Sequence, residues 1–196
     1  MWAATLIAVR TAVVTLVLTG LAYPVVVTGL AQLLFQVEAN GSLVADSNGR
    51  IVGSALIGQN FASPAYFHPR LSAAGSDGYD ATASGGSNLG PTSAKLRTRV
   101  SGAIATLGRE NPDAPPPVPA DLVTTSASGL DPHLSPAAAF WQVARVARAR
   151  SLAADRVRTL VDAQIEGRDL GFLGEPRVNV LLLNLALDRQ FGAPAK

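Results

Sequence analysis

The longest regularity along the chain is a run without charge. Residues 11–37 pass twenty-seven positions with no Asp, Glu, Lys or Arg, between Arg10 and Glu38. A helix rises about 1.5 Å per residue, so roughly 20 apolar residues cross the hydrocarbon core of a bilayer. The pattern therefore predicts an N-terminal segment, residues 1–37, holding one transmembrane helix, followed by an outward-facing domain, residues 38–196. Pro24 would cost about 3 kcal/mol inside a soluble helix. A membrane helix tolerates such a kink when hydroxyls or neighbouring helices satisfy the freed carbonyl, and Thr11, Thr15, Thr19 and Thr28 carry hydroxyls. Gly20 and Gly29 leave room for a second helix to approach. A secretory signal cleaved near Val37-Glu38-Ala39 is the alternative. Its apolar region would run about 7–15 residues, shorter than this one. Arg10 precedes the run while Glu38 and Asp46 follow it, so the positive-inside rule puts the N-terminus in the cytoplasm.

Beyond the anchor the periodicity changes. Residues 42–45 and 50–57 have strand-like composition, joined by Asp46-Ser47-Asn48-Gly49, where Asn-Gly is a strong hairpin signal. Residues 59–91 show no clean period and are rich in Gly, Ser, Pro and aromatics. A loop of that length in a compact domain is usually functional or disordered, and disordered segments are poor in aromatics. Leu96, Val100, Ile104 and Leu107 predict a helix over residues 95–109, ending near Gly108. The proline-rich residues 111–119 predict an extended surface connector. Residues 121–125 read as a short strand before a Ser-rich turn. Three helices should follow. The first starts at Ser135-Pro136, an N-cap followed by proline at the first helical position. The second carries Val157, Leu160, Val161 and Ile165 and stops at Gly167. The third starts near Asn179, and its almost uniformly apolar residues 180–187 predict a buried central helix. The expected fold class is α+β: one transmembrane helix, then a single exported α+β domain.

Composition narrows the chemistry. There are 16 Lys and Arg against 14 Asp and Glu, and one of the cations, Arg10, lies on the cytoplasmic side. The exported part is nearly neutral despite a pI near 9.4, and no basic run interleaved with aromatics suggests nucleic acid. The absence of cysteine excludes disulfides and thiol catalysis. Residues 84–92 (SGGSNLGPT) match the first part of a phosphate loop, but Pro91 stands where the lysine belongs and has no amide to donate. A structured turn is the simpler expectation. His68 and His133 have no metal-ligand spacing. Asp131, His133 and the nearby Ser126, Ser128 and Ser135 lack a nucleophile elbow, so a triad is not expected. Arg145, Arg148 and Arg150 read as a solvated helix face, or as a site for an anionic headgroup or partner. Phe140-Trp141 fits either the core or a membrane-facing contact.

Several motifs in order from the anchor to the C-terminus carry a resemblance: GSALIGQ at 53–59, YFHPR at 66–70, SGGSNLGP at 84–91, DLVT at 121–124, SASGLDPH at 126–133, RVAR at 145–148, GEPRVNVL at 174–181 and NLALD at 184–188. Together they resemble KdpC, the C subunit of the Kdp potassium-transporting ATPase, over nearly the whole chain. Leu71 and Thr125 depart from that pattern, where the family more often has proline and alanine. The resemblance implies a non-catalytic, single-pass subunit of the bacterial or archaeal plasma membrane. Its implied partners are a channel-like potassium-translocating subunit, a P-type ATPase subunit, a small single-helix subunit and membrane lipid. It implies no cofactor of its own, with ATP and Mg used by the ATPase partner and potassium as the transported ion. The family is credited with a catalytic-chaperone role that raises the pump's affinity for ATP. The chain's own alternative reading is an exported hydrolase or binding protein with a cleaved signal. The candidate docking surface, at the external mouth of the potassium pathway, comprises Gln59, Tyr66, Phe67, His68, Arg70, Ser84, Ser87, Asn88, Asp131 and His133. No residue of the chain is expected to be catalytic or to bind a metal or cofactor.

Overall fold

The computed structural model describes residues 1–194 and divides into two units, one ending at Leu43 and one beginning at Val44. The first holds the uncharged run. Helix α1 (Trp2–Val17) passes through a π turn (Leu18–Ala22) into α2 (Tyr23–Leu34), which makes 33 helical residues of mean hydropathy 2.0. This helix is long and apolar enough to cross a membrane, and none of its residues is buried against protein except in part. The π turn lies immediately before Pro24, whose ring would clash with the carbonyl four residues back. Of the four threonines, Thr19 donates its hydroxyl to the Thr15 carbonyl at 2.8 Å. The helix stops at Phe35, where φ −135° and ψ 51° leave the helical region. A short turn of helix, α3 (Gln36–Ala39), follows.

A hairpin of β1 (Leu43–Ala45) and β2 (Ile51–Ser54) opens the second unit, whose boundary falls after the first residue of β1. Only Gly49 of the Asn-Gly pair takes a positive φ, 78°. The turn is closed instead by Asp46, whose Oδ1 accepts from the amides of Asn48 and Arg50 at 2.9 Å. Helix α4 (Ala94–Glu110) is capped by Ser93 and runs through Gly108 to Asn111. Asn111 closes it because its Nδ2 donates to the Leu107 carbonyl at 3.0 Å. The expected strand at 121–125 is instead a helical turn, α5 (Ala120–Val123). A single turn lets the adjacent Leu122 and Val123 both face the core, whereas a strand would point one of them outward.

The central sheet is short and antiparallel, in the order β3 (His133–Leu134), β5 (Arg177–Asn179), β4 (Ile165–Glu166). Leu134 and Ile165 both lie opposite Val178. Helix α6 (Pro136–Ala149) begins at Ser135, whose hydroxyl accepts from the Ala138 amide. Helix α7 (Ala154–Ala163) ends before Ile165, because Ile165 enters the ladder with Val178. Helix α8 (Val180–Phe191) leaves β5 directly, with Asn179 as its cap. Its buried residues are Val180, Leu181, Leu183, Asn184 and Leu187, while Leu182 and Leu185 are only half-buried. The core joins Val146, Val157, Val161, Val178, Leu183 and Leu187 to Phe67 of the long loop and to Leu122. Trp141 belongs to this core and donates its indole N–H to the Pro115 carbonyl, tying down the proline-rich connector. Phe140 packs at the edge, with Arg158 over its ring. The fold is the expected one, an apolar N-terminal helix followed by an α+β domain.

Candidate functional site

Residues 59–71 form no regular element, yet every carbonyl from Pro64 to His68 accepts from a side chain of the helices beneath. Asn184 acts as a strand neighbour: its Oδ1 accepts from the Phe67 amide at 2.9 Å and its Nδ2 donates to the Phe67 carbonyl at 3.0 Å. Gln142 does the same for His68, accepting from its amide at 2.8 Å and donating to its carbonyl at 3.1 Å. Arg145 donates Nε–H to Asn111 Oδ1, Nη1–H to the carbonyls of Pro64 and Tyr66, and Nη2–H to Gln142 Oε1, at 2.6–3.0 Å. These three helix residues are 1–3% exposed. The expected solvated arginine face is therefore wrong at Arg145. Unregular backbone must find partners somewhere, and a buried guanidinium fork meets several carbonyls at once. Its pKa is lowered to about 10, first by burial and then by Arg148, with Glu110 opposing. Arg150 is likewise turned inward, bonding the carbonyls of Ala65 and Gly192 and pairing with Asp188 at 2.7 Å. Only Arg148 is exposed, paired with Asp113.

The same hub fixes Tyr66, Phe67 and His68 among the predicted docking residues. Phe67 is fully buried and supports the surface from beneath. Tyr66 donates its hydroxyl to Asp188 at 2.9 Å and lies under Arg150, and its pKa is raised by burial and by that carboxylate. Gln59 reaches back to the Val52 carbonyl at 2.8 Å. His68 Nε2 lies 3.0 Å from the Ser63 carbonyl and 3.3 Å from Arg145 Nη1, while Nδ1 lies 3.5 Å from Glu110. Burial and Arg145 lower its pKa against the pull of Ser63 and Glu110.

A second cluster joins Arg70, Asp131 and His133. Arg70 Nη1 donates to Asp131 Oδ2 at 2.8 Å, and Asp131 Oδ1 accepts from the His133 amide at 3.0 Å and faces its Nδ1 at 3.2 Å. Burial pushes the Asp131 carboxyl up, but the His133 and Arg70 hydrogen bonds outweigh it and hold the pKa below its ordinary value. Tyr79 donates to the Arg70 carbonyl at 2.8 Å, and burial, then Asp131, raise its pKa. His68, Arg70, Tyr79, Thr106 and Glu110 line an open cavity of about 510 Å³ between this loop and α4. The serines of the region are otherwise engaged. Ser126 and Ser128 accept from the amides of Gly129 and Leu130, and Ser135 caps α6.

The SGGSNLGP motif is packed, not open. The Gly85 amide donates to the Ser128 carbonyl at 2.8 Å, and Ser84 Oγ donates to the same oxygen at 3.1 Å. A Cβ on Gly86 would meet the Ala127 carbonyl at 2.8 Å, and one on Gly129, at φ 69°, would meet the Gly85 carbonyl at 2.5 Å. The glycines serve close backbone approach. Ser84 and Asn88 remain exposed, and Asn88 takes φ 50°, a conformation asparagine tolerates. Gly86 and Ser87 also line a depression of about 680 Å³ with Lys95, Thr98 and Arg99, a basic group that spacing to Pro91 does not reveal. Among the described residues no group of three or more His, Asp or Glu could hold a metal ion. The candidates thus fall into three places: the hub over α6 and α8, the Arg70–Asp131–His133 cluster, and the 84–88 turn. Sequence reasoning missed Gln142, Asn184 and Asp188, although a glutamine and an asparagine inside apolar helices are the kind of signal that marks a buried polar network.

The family model for KdpC, described as the K+-transporting ATPase c chain, matches residues 5–189. The chain belongs to the KdpC family. The KdpC subunit of the potassium-transporting ATPase of Myxococcus xanthus is 69% identical over 192 residues, covering 98% of this chain and 90% of that one. Those of Koribacter versatilis and Caulobacter vibrioides are each 57% identical, over 176 and 175 residues, covering 90% and 89% of this chain and 89% and 87% of theirs. KdpC membership makes this chain a membrane-associated subunit of a potassium-transporting ATPase, and so one with partner subunits.

Proposed function

We propose that this chain is the non-catalytic, single-pass subunit of an ATP-driven, high-affinity potassium uptake complex in a bacterial or archaeal plasma membrane. Its N-terminus lies in the cytoplasm and its second unit outside. It supports assembly and activity of a channel-like potassium-translocating subunit, a P-type ATPase subunit that uses ATP and Mg, and a small single-helix subunit. One observation carries the reading: the KdpC match spans residues 5–189 of a chain that opens with an apolar helix of membrane-spanning length. The docking surface at the external mouth of the potassium pathway is narrowed by exposure. Ser84 and Asn88 are its accessible tips and Ser87 is half-buried beside them, while Tyr66 to His68 are held at the hub and Arg70 at Asp131. A dedicated potassium site needs about six to eight converging oxygens, by analogy with calcium, and one turn supplies too few. Selectivity then belongs to the partner.

A raised ATP affinity of the pump follows most simply by coupling through the anchor to the pump's conformational equilibrium, since an outside domain does not meet cytoplasmic ATP. Purifying the full chain in mild detergent should recover the pump subunits, and Asn88→Ala should weaken that recovery or the potassium-stimulated ATPase. Calorimetry of the full chain alone with ATP should show no binding. Micromolar binding abolished by Lys95→Gln with Arg99→Gln would move the reading to direct contact at the 680 Å³ depression.

A further inference from the structure

The β4–β5 connection carries apolar side chains that the core does not take up. Leu170 is 82%, Phe172 69% and Leu173 49% exposed. The tip is built firmly. The amides of Phe172 and Leu173 donate to the Asp169 carbonyl at 3.2 and 2.9 Å, and the Asp169 amide donates to the Leu173 carbonyl at 2.9 Å. Below it, Arg168 pairs with Glu175 at 2.8 Å, and Arg177 pairs with Glu166 at 2.9 Å and Asp169 at 3.3 Å. Leu170 sits at φ 53°, a region that L side chains disfavour and that glycine or asparagine would occupy more easily. A leucine held there and exposed is strained twice over, by backbone and by water.

We infer that residues 170–173 form a rigid anchor that inserts into an apolar pocket on another subunit of the pump, an inference that rests on the functional reading above. Three observations select this occupant. The surrounding charges are two arginines against Glu166, Asp169 and Glu175, already paired, so no cationic excess draws the tip to an anionic lipid surface. An apolar centre inside a charged rim is the anatomy of a protein–protein hot spot. The three side chains offer on the order of 400 Å², about half of the 800 Å² per partner that a stable interface needs. They do not hold a second copy of this chain by themselves. They suffice for a subunit already confined beside its partner by a membrane anchor, because tethering raises effective concentration, and a pre-ordered tip loses little freedom on docking.

The test uses the full chain in the assembled pump. A benzophenone side chain installed at position 172 and irradiated in native membranes should give a covalent adduct to another pump subunit, identified by mass spectrometry. Leu170→Ser with Phe172→Ser should lower recovery of pump subunits by about thirtyfold, as loss of a hot spot does, with the melting temperature of the chain unchanged, and Phe172→Leu should restore most of it. An adduct to lipid, an adduct to a second copy, or unchanged recovery with both serines in place overturns the inference. If the serines also lower the melting temperature, the identity of the adduct decides. If the unaltered chain recovers no pump subunits, the functional reading itself fails; normal recovery without an adduct from position 172 removes only the anchor.

Discussion

His68 stands at a point where the demands of its neighbours conflict. The Ser63 carbonyl asks Nε2 to donate, the Arg145 guanidinium asks it to accept, and Glu110 favours a proton on Nδ1. Burial and Arg145 settle the balance toward the neutral ring. The folded pKa therefore lies below the ordinary value of about 6.5, and as pH falls the unfolded chain takes up the proton first. The stabilisation is complete above about pH 6.5 and is lost as pH drops toward the folded value. Asp131, also lowered, loses its share only further down, below the ordinary carboxylate value. Melting the full chain in detergent between pH 8 and 5 should show a fall in melting temperature beginning near pH 6.5, and His68→Gln should flatten that fall. An unaltered slope in the variant would place the titration elsewhere. None of this was legible from His68 as a letter in a loop. The charged groups that set its proton lie at 110 and 145, and no periodicity links those positions to 68.

At the scale of elements, legibility followed local signals. Ser135-Pro136 and Asn179 marked helix starts because capping is a contact between near neighbours. The end of α7 and the nature of residues 120–123 did not follow, because pairing with Val178 and burial of two adjacent side chains decided them. The apolar run of α8 was clear, but uniform hydrophobicity hides which face is inside. Leu183 is fully buried while Leu185 is half-exposed to solvent. Truncating a buried leucine costs about 2–5 kcal/mol. Leu183→Ala should lower the melting temperature by several degrees or more, and Leu185→Ala by clearly less. Equal losses would mean that α8 packs differently, with both faces enclosed.

For the molecule as a whole, the order of parts was readable, since a run of uncharged residues and a change of period need no tertiary partner. The hub was not, because it joins residues up to 122 positions apart. The anchor gives the clearest whole-molecule prediction. The helix Trp2–Leu34 is 33 residues long, about 50 Å at 1.5 Å per residue, so it exceeds a hydrocarbon core of about 30 Å and must tilt or extend beyond it. Arg10 lies within its first third, where a long side chain reaches the interface. Val17 lies at mid-helix, where no such escape is near. An arginine there costs about 2.5–3.5 kcal/mol on insertion scales, on the order of a hundredfold against the inserted state. Val17→Arg should release most of the chain from membranes on alkaline extraction and abolish recovery of the pump subunits, while Arg10→Gln should leave insertion intact and loosen only the orientation. Membrane retention of Val17→Arg with normal pump assembly would show that the span does not rest on this helix's apolar length, and that partner contacts outside the bilayer hold the chain in place.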